Sequence, residues 1–426
     1  MRTGGFSERD LRGKINSNIE PRNNIFVGLV QYLFSFELTF ALFLFAWAYK
    51  ADPRFSFSID PTQLFFMISV FSGTLVFIAE KKRIGKKAGL IVLSGIAFVM
   101  LALLSLVWTE GDLYAQKKAL YLSTLTLWAL IGAAVIIASD KTRMVRFLNS
   151  VLLFSVWIAA QSTMEYINNG PGVINLNSNY LALGYTMGMG SLILAAYGFF
   201  SDESRLKRAF MLIACVYFIF LLLIMGGRGP LIGCLASLSV PLLAGGRSQI
   251  ADKSKLKGYI LFTAVLFSAI VLASLYFYLK DLPAATLERM LLFLDSGMGT
   301  SVGTRIEYYS VAQKLWLSRP LSGYGIGSWP VLNGLPDSIA YPHNLILEIL
   351  VEMGIAGLLL FGLAVFFAFK NFNKQIAPSA AFPGPLNKML FFNVIIGAMF
   401  SGDLNDNRIL FAVLGLMAYE EKQIEE

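Results

Sequence analysis

Long apolar runs separated by short polar stretches recur from one end of the chain to the other. Reading for runs of about 18 residues or more, and admitting shorter ones where Gly or Pro interrupts, gives twelve: 25–49, 62–79, 88–107, 120–139, 147–167, 178–200, 209–225, 230–245, 258–279, 345–369, 386–400 and 409–419. The expected fold is therefore all-α, a polytopic membrane bundle of about twelve transmembrane helices. No internal repeat and no low-complexity linker divides it. The pattern parses into an N-terminal tail (1–24), helices one to nine (25–279), one long loop (280–342), helices ten to twelve (343–419) and a short C-terminal tail (420–426).

Composition agrees and narrows the options. With 56% hydrophobic and only 15% charged residues, the chain lies far from soluble domains, where about 45–50% are apolar and about a quarter charged. Any chemistry is left to loops and helix ends. The net charge of +8 reflects orientation rather than nucleic acid. Counted on alternate sides of the runs, 24 of the 35 Lys and Arg fall on the side of the N-terminal tail. By the positive-inside rule that side is the cytoplasm, which then holds both termini. Cys215 and Cys234 lie inside apolar runs and suggest neither a disulfide framework nor a zinc site. The first run is too long for a signal-peptide core and is expected to stay as a helix.

The 63-residue loop, 280–342 on the outer side, is far longer than ordinary connections. Leu287, Met290, Leu291 and Leu294 recur at helical spacing and predict an amphipathic helix against the bundle or membrane surface. Thr304 with Glu307 reads as a capping box opening a second helix through about Ser318. The run from Arg319 to Pro330 then has three alternating glycines, Gly323, Gly325 and Gly327. They read as a tight turn and not a dinucleotide site, because no βαβ unit surrounds them.

The chain's single histidine, His343, stands where this loop enters a membrane helix, between Pro342 and Asn344. It either caps the helix start or takes a proton near neutral pH. Glu348 and Glu352 follow inside the apolar run, placed either to hold helices together or to act at a site. Outer arginines form a second group: Arg228 in a Gly-rich hairpin, Arg305 in the loop helix, Arg319 before a proline and Arg408 after Asp403 and Asp406. Guanidinium suits phosphate because its fork bonds in pairs and stays charged; singly, such arginines are interfacial anchors. No metal-hydrolase, Walker or Gly-x-Ser-x-Gly pattern is present. The carboxylate pair Asp403 and Asp406 is weak evidence for a metal, and none is expected.

Three stretches together resemble the O-antigen ligase and O-antigen polymerase superfamily of bacterial membrane glycan transferases. They are Arg305 through Gly327, with its Pro-x-x-Gly-x-Gly-x-Gly ending; His343-Asn344 through Gly357, with Glu352-x-Gly354-x-x-Gly357; and the hairpin Gly227-Arg228-Gly229. The resemblance implies a metal-free, cofactor-free transfer at the periplasmic face of the inner membrane. A polysaccharide would pass from undecaprenyl diphosphate to a sugar hydroxyl of the lipid A core, among membrane lipids and without nucleic acid. It also implies His343 as the base or the group orienting the acceptor hydroxyl, with Arg228 and Arg305 neutralising the departing diphosphate. Arg319, Asn344, Asp403 and Arg408 are the neighbouring positions expected to contact substrate. A polymerase or protein O-oligosaccharyltransferase of the same superfamily, and a transporter or lipid flippase, are the alternatives; the single long loop favours the ligase.

Overall fold

The computed structural model describes residues 30–50, 52, 54, 58–170, 174, 176, 180–201, 203–243, 253–280, 285–287, 300–370 and 385–420. All regular structure among these residues is helical. Eight helices are long and apolar enough to cross a membrane: α2 (Pro61–Ala79), α3 (Lys86–Val107), α4 (Leu113–Ile137), α5 (Lys141–Asn169), α6 (Tyr180–Phe200), α7 (Arg205–Ile224), α9 (Ser254–Leu279) and α12 (Leu345–Phe369). Four shorter apolar helices are α1 (Phe36–Leu44), α8 (Arg228–Leu243), α13 (Leu386–Ala398) and α14 (Arg408–Leu416). Each of the twelve apolar runs thus holds a helix, and a count of twelve crossings is compatible with them without following from their lengths. In the long loop lie α10 (Thr300–Ser318) and the single turn α11 (Trp329–Leu332).

Local rules explain many helix starts. Asp60 accepts from the Thr62 N–H at 2.7 Å, and Asp140 from the N–H groups of Thr142 and Arg143, so α2 and α5 begin on capping carboxylates. Helix α6 carries small residues along its length, and among the spanning helices it is the most enclosed, with 78% of its apolar window inside the protein. Helices α2 and α9, at 17% and 11%, lie at the periphery. Their exposed Met67, Phe71, Leu261 and Val271 are what a lipid-facing surface requires.

Two expected boundaries are corrected. Helix α4 begins at Leu113, seven residues before the apolar run, because the loop supplies its cap: Asp337 accepts from the Tyr114 N–H at 3.2 Å. The shift carries Lys118 into a buried helix. Helix α10 is already formed at Thr300, so Thr304 and Glu307 lie within it and do not open it, while its end at Ser318 is as expected. Of the expected amphipathic helix, Leu287 is buried in a helical turn; Met290, Leu291 and Leu294 lie outside the described residues, as does the tail 1–24.

The glycine run is not a surface turn. Helix α12 is broken at Gly354, whose φ is +63°, and the preceding loop fills the break. The freed carbonyls of Val351 and Glu352 accept from the N–H groups of Tyr324 and Gly325, each at 2.8 Å. The freed N–H groups of Ile355 and Ala356 donate to the carbonyls of Pro320 and Leu321 at 2.8 and 3.3 Å. Backbone polar groups away from water must be paired, so an unwound turn persists only where protein supplies partners. Contact this close needs glycine on both sides: a Cβ on Gly354 would lie 2.3 Å from the Leu321 carbonyl oxygen, and one on Gly325 2.4 Å from the Thr109 Cα.

Replacing Gly354 with Ala is therefore expected to destabilise the protein by at least the roughly 1–3 kcal/mol of an unfavourable backbone conformation, with the clash in addition. Thermal unfolding in detergent measures it. A melting temperature equal to that of the parent would show that the loop does not occupy the break.

Candidate active site

One buried charge cluster ties the elements around His343 together. The Lys118 ammonium on α4 contacts Glu348 Oε1 at 2.6 Å, Glu352 Oε1 at 2.7 Å and Asp403 Oδ1 at 2.9 Å, and all four side chains are essentially inaccessible. The Tyr114 hydroxyl donates to the second oxygen of Asp403, and the Leu404 N–H donates to Glu348 Oε1 at 2.9 Å. The spacing of Glu348 and Glu352 puts both on one face of α12, and α4 presents Tyr114 and Lys118 with the same spacing. The α13–α14 connection, 399–407, thereby becomes a fixed wall beside the start of α12.

His343 lies just before that start, half-buried, with φ at +57°. Left-handed backbone is uncommon for a residue with a side chain, and surrounding structure has to hold it. Here Asn344 caps α12 by accepting the Leu347 N–H at 3.1 Å, and the Tyr309 hydroxyl donates to the His343 carbonyl at 3.2 Å. Two rings clamp the imidazole: Tyr308 lies parallel to it with centroids 6.3 Å apart, and Tyr341 meets it edge-on at 4.5 Å. Nδ1 is buried with no hydrogen-bond partner among the described residues. Burial, and secondarily the positive charge of Arg305, push the His343 pKa below its ordinary value, so the imidazole is neutral at neutral pH and able to accept a proton.

Arg305 and the hairpin that holds Arg228 belong to two other elements, and Tyr185 of α6 lies beside both. The Arg305 guanidinium lies within electrostatic reach of both His343 and the Tyr185 hydroxyl. Arg228 is the first residue of α8. Its neighbour Gly229 lies so close to that hydroxyl that a Cβ there would be 2.6 Å from it. A neutral imidazole with the Arg305 guanidinium in reach, next to a phenol that also borders the Arg228 hairpin, suits an anionic group undergoing substitution next to a hydroxyl nucleophile.

The remaining expected positions separate. Arg319 is half-exposed, 3.5 Å from Glu110 and stacked over Tyr324 at 4.3 Å, where it pins the glycine run. The Asn344 side chain caps α12. Asp403 is enclosed by Lys118 and Tyr114, while Arg408 faces a neighbouring cavity.

Residues 190–362 match the family model described as O-antigen ligase. This stretch, about two fifths of the chain, is what is similar to that family. It runs from within α6 into α12, and it contains Arg228, Arg305, Arg319, His343 and Asn344. Asp403, Arg408 and Lys118 lie outside it. No curated protein matches the chain. Eight helices long and apolar enough to cross a membrane accompany that match and mark a multi-pass membrane protein.

Several residues of the site had no signal in the sequence. Tyr308, Tyr309 and Tyr341 are three of 17 tyrosines, and Tyr185 lies in an apolar run. Lys118 was detectable in principle. Continuing the helical pattern back through Tyr114 and Ala115 places it on one face with Tyr114, between apolar residues.

Removing the ammonium leaves three carboxylates facing one another in a buried site, so Lys118→Met is expected to cost about 3–5 kcal/mol. Adding Glu348→Gln and Glu352→Gln should recover part of the loss. Thermal unfolding of the single and triple variants measures both, and a single variant as stable as the parent would remove the cluster from its organising role.

Proposed function

We propose that the protein is an O-antigen ligase working at the periplasmic face of the inner membrane, with both termini in the cytoplasm. It transfers polysaccharide from undecaprenyl diphosphate to a sugar hydroxyl of the lipid A core. The observation that carries this reading is the neutral, clamped His343 within reach of Arg305, which also reaches Tyr185, the residue against which the Arg228 hairpin packs through Gly229.

In this mechanism His343 takes the proton from the acceptor hydroxyl as its oxygen attacks the anomeric carbon of the donor. The bond from that carbon to the diphosphate oxygen breaks, and undecaprenyl diphosphate leaves carrying the electron pair. Arg228 and Arg305 oppose the charge growing on the leaving oxygen, the kind of electrostatic stabilisation whose loss costs about 10²–10³-fold in rate. The diphosphate bond is already activated, so no nucleotide is required. Direct displacement inverts the anomeric centre. Because guanidiniums supply the positive charge, added chelator should leave the rate unchanged. Asp403 and Lys118 hold the framework, Asn344 and Tyr309 set the conformation of His343, and Arg319 fastens the loop.

The test is reconstitution of the purified protein with lipid-linked glycan and lipid A core. His343→Ala is expected to lose at least about 10²-fold of transfer, the usual contribution of a positioned acid or base; full ligation by the variant would remove its role as base. Glycan on lipid A core marks a ligase, and lengthened undecaprenyl-linked glycan would mark a polymerase instead.

The pH profile tests the same residue independently. A base must be unprotonated, so activity should persist at neutral pH and fall on acidification through the His343 pKa, which lies below the ordinary value of about 6.5. Arg305→Met removes one of the two influences that lower that pKa, so the acid limb should move toward neutral pH while the maximal rate drops. An acid limb that stays in place would show that Arg305 does not act on His343.

A further inference from the structure

Beside His343, on the far side of Tyr341, lies a cavity of about 320 Å³, to which Trp47, Lys50, Tyr185, Tyr341, Asp406 and Arg408 contribute. Tyr341 is the partition, since it lines the cavity while its ring meets the imidazole of His343. Tyr185 lies on the boundary in the same way, facing the cavity and in reach of Arg305.

Arg408 is the unusual feature. It is 9% exposed, its Nη1 is buried with no hydrogen-bond partner, and its guanidinium carbon lies over the Phe43 ring, 5.6 Å from the ring centre. It makes no ion pair among the described residues. Asp406 and Asp60 lie within electrostatic reach of it, but neither closes an ion pair with it, so a costly buried charge borders a cavity at the low end of the range for small-molecule sites, about 300–1,000 Å³. Lys50, by contrast, is half-exposed and has Asp60 at 3.4 Å. The other walls are of two kinds. Trp47, Tyr185 and Tyr341 contribute aromatic rings suited to the C–H faces of a sugar, while Ser401, Asp406 and Asn407 contribute donors and acceptors suited to hydroxyls.

We propose that this cavity is the acceptor subsite, holding a pyranose whose anionic substituent, a phosphate or carboxylate, is bound by Arg408. The assignment rests on the transfer reading above, and it accounts for an acceptor hydroxyl reaching His343 from across Tyr341. Arg408 lies outside the matched stretch, so the subsite is a property of the helices that enclose it.

Binding tests the subsite without any transfer reaction, so its outcome is separate from that of the reconstitution. The full-length protein in detergent is titrated with glucose 6-phosphate, glucose and inorganic phosphate, and dissociation constants are taken from ligand-dependent thermal stabilisation. Glucose 6-phosphate is expected to bind at least about tenfold more tightly than either other probe, as a charge-assisted contact implies. Arg408→Met should lose that advantage. Ala182→Phe, which fills the cavity and removes no polar group, should lose binding as well, and it decides the question if Arg408→Met does not fold. His343→Ala should bind as the parent does. The proposal is overturned if the sugar phosphate gives no saturable stabilisation, if it binds Ala182→Phe as it binds the parent, or if inorganic phosphate binds equally well, which would mean a lone anion site.

Discussion

Lys118 brings one positive charge into a place with no water, and three carboxylates from two other parts of the chain close on it. Each carboxylate would be untenable there alone, because an isolated buried charge loses its hydration with nothing in return. Together they specify geometry. Glu348 and Glu352 set the rotation of α12, Asp403 sets the α13–α14 connection, and Tyr114 and Lys118 set α4. A buried ion cluster is poor evidence for stability relative to an apolar core, but it tolerates few alternative arrangements, and the proposed site, assembled from several helices, needs that restriction.

The break in α12 is the second constraint, and it depends on the first. Unwinding at Gly354 frees carbonyls and amides directly after Glu352, the residue that Lys118 anchors. The loop enters that gap with Tyr324 and Gly325 donating and Pro320 and Leu321 accepting. Beyond it, Ile326 is held on both sides, its N–H by Ser105 Oγ and its carbonyl by Thr109. The loop is thus woven into the bundle by backbone hydrogen bonds, and Trp329, fully buried, fixes it against α10 and α12. This is why the loop side chains Tyr308, Tyr309 and Tyr341 can clamp an imidazole in a left-handed conformation. Preorganisation of this kind is what the proposed role of His343 as base requires.

What was legible in the sequence follows the range of the forces involved. Apolar runs report burial residue by residue, so the helices, the long loop and the end of α10 at Ser318 were readable. The histidine and arginines stood out because charge and imidazole are scarce in this chain. Contacts between distant segments leave no such trace. The start of α4 depends on Asp337, more than two hundred residues away, so Lys118 falls outside the apolar run although it lies at the centre of the cluster. The glycines were read as a turn because alternation reveals backbone freedom and not the partner that makes it necessary. Glu348 and Glu352 were correctly placed inside the helix, while the ammonium between them needed tertiary structure to find.

The two buried cations on this side of the bundle show how similar sequence signals acquire different meanings. Lys118 and Arg408 are both basic residues at the beginning of apolar helices, and their flanks mislead, since Arg408 follows Asp403 and Asp406 while Lys118 follows another lysine. Lys118 ends among carboxylates that satisfy it, and the result is rigidity. Arg408 ends beside a cavity with an unmet hydrogen bond, and its charge remains available to a ligand. The same connection, 399–407, serves both, since Asp403 faces the cluster while Ser401, Asp406 and Asn407 face the cavity. Fixing Asp403 to Lys118 therefore also fixes the wall against which a ligand of Arg408 would lie, so the cluster that orients α12 and His343 orients the neighbouring cavity as well.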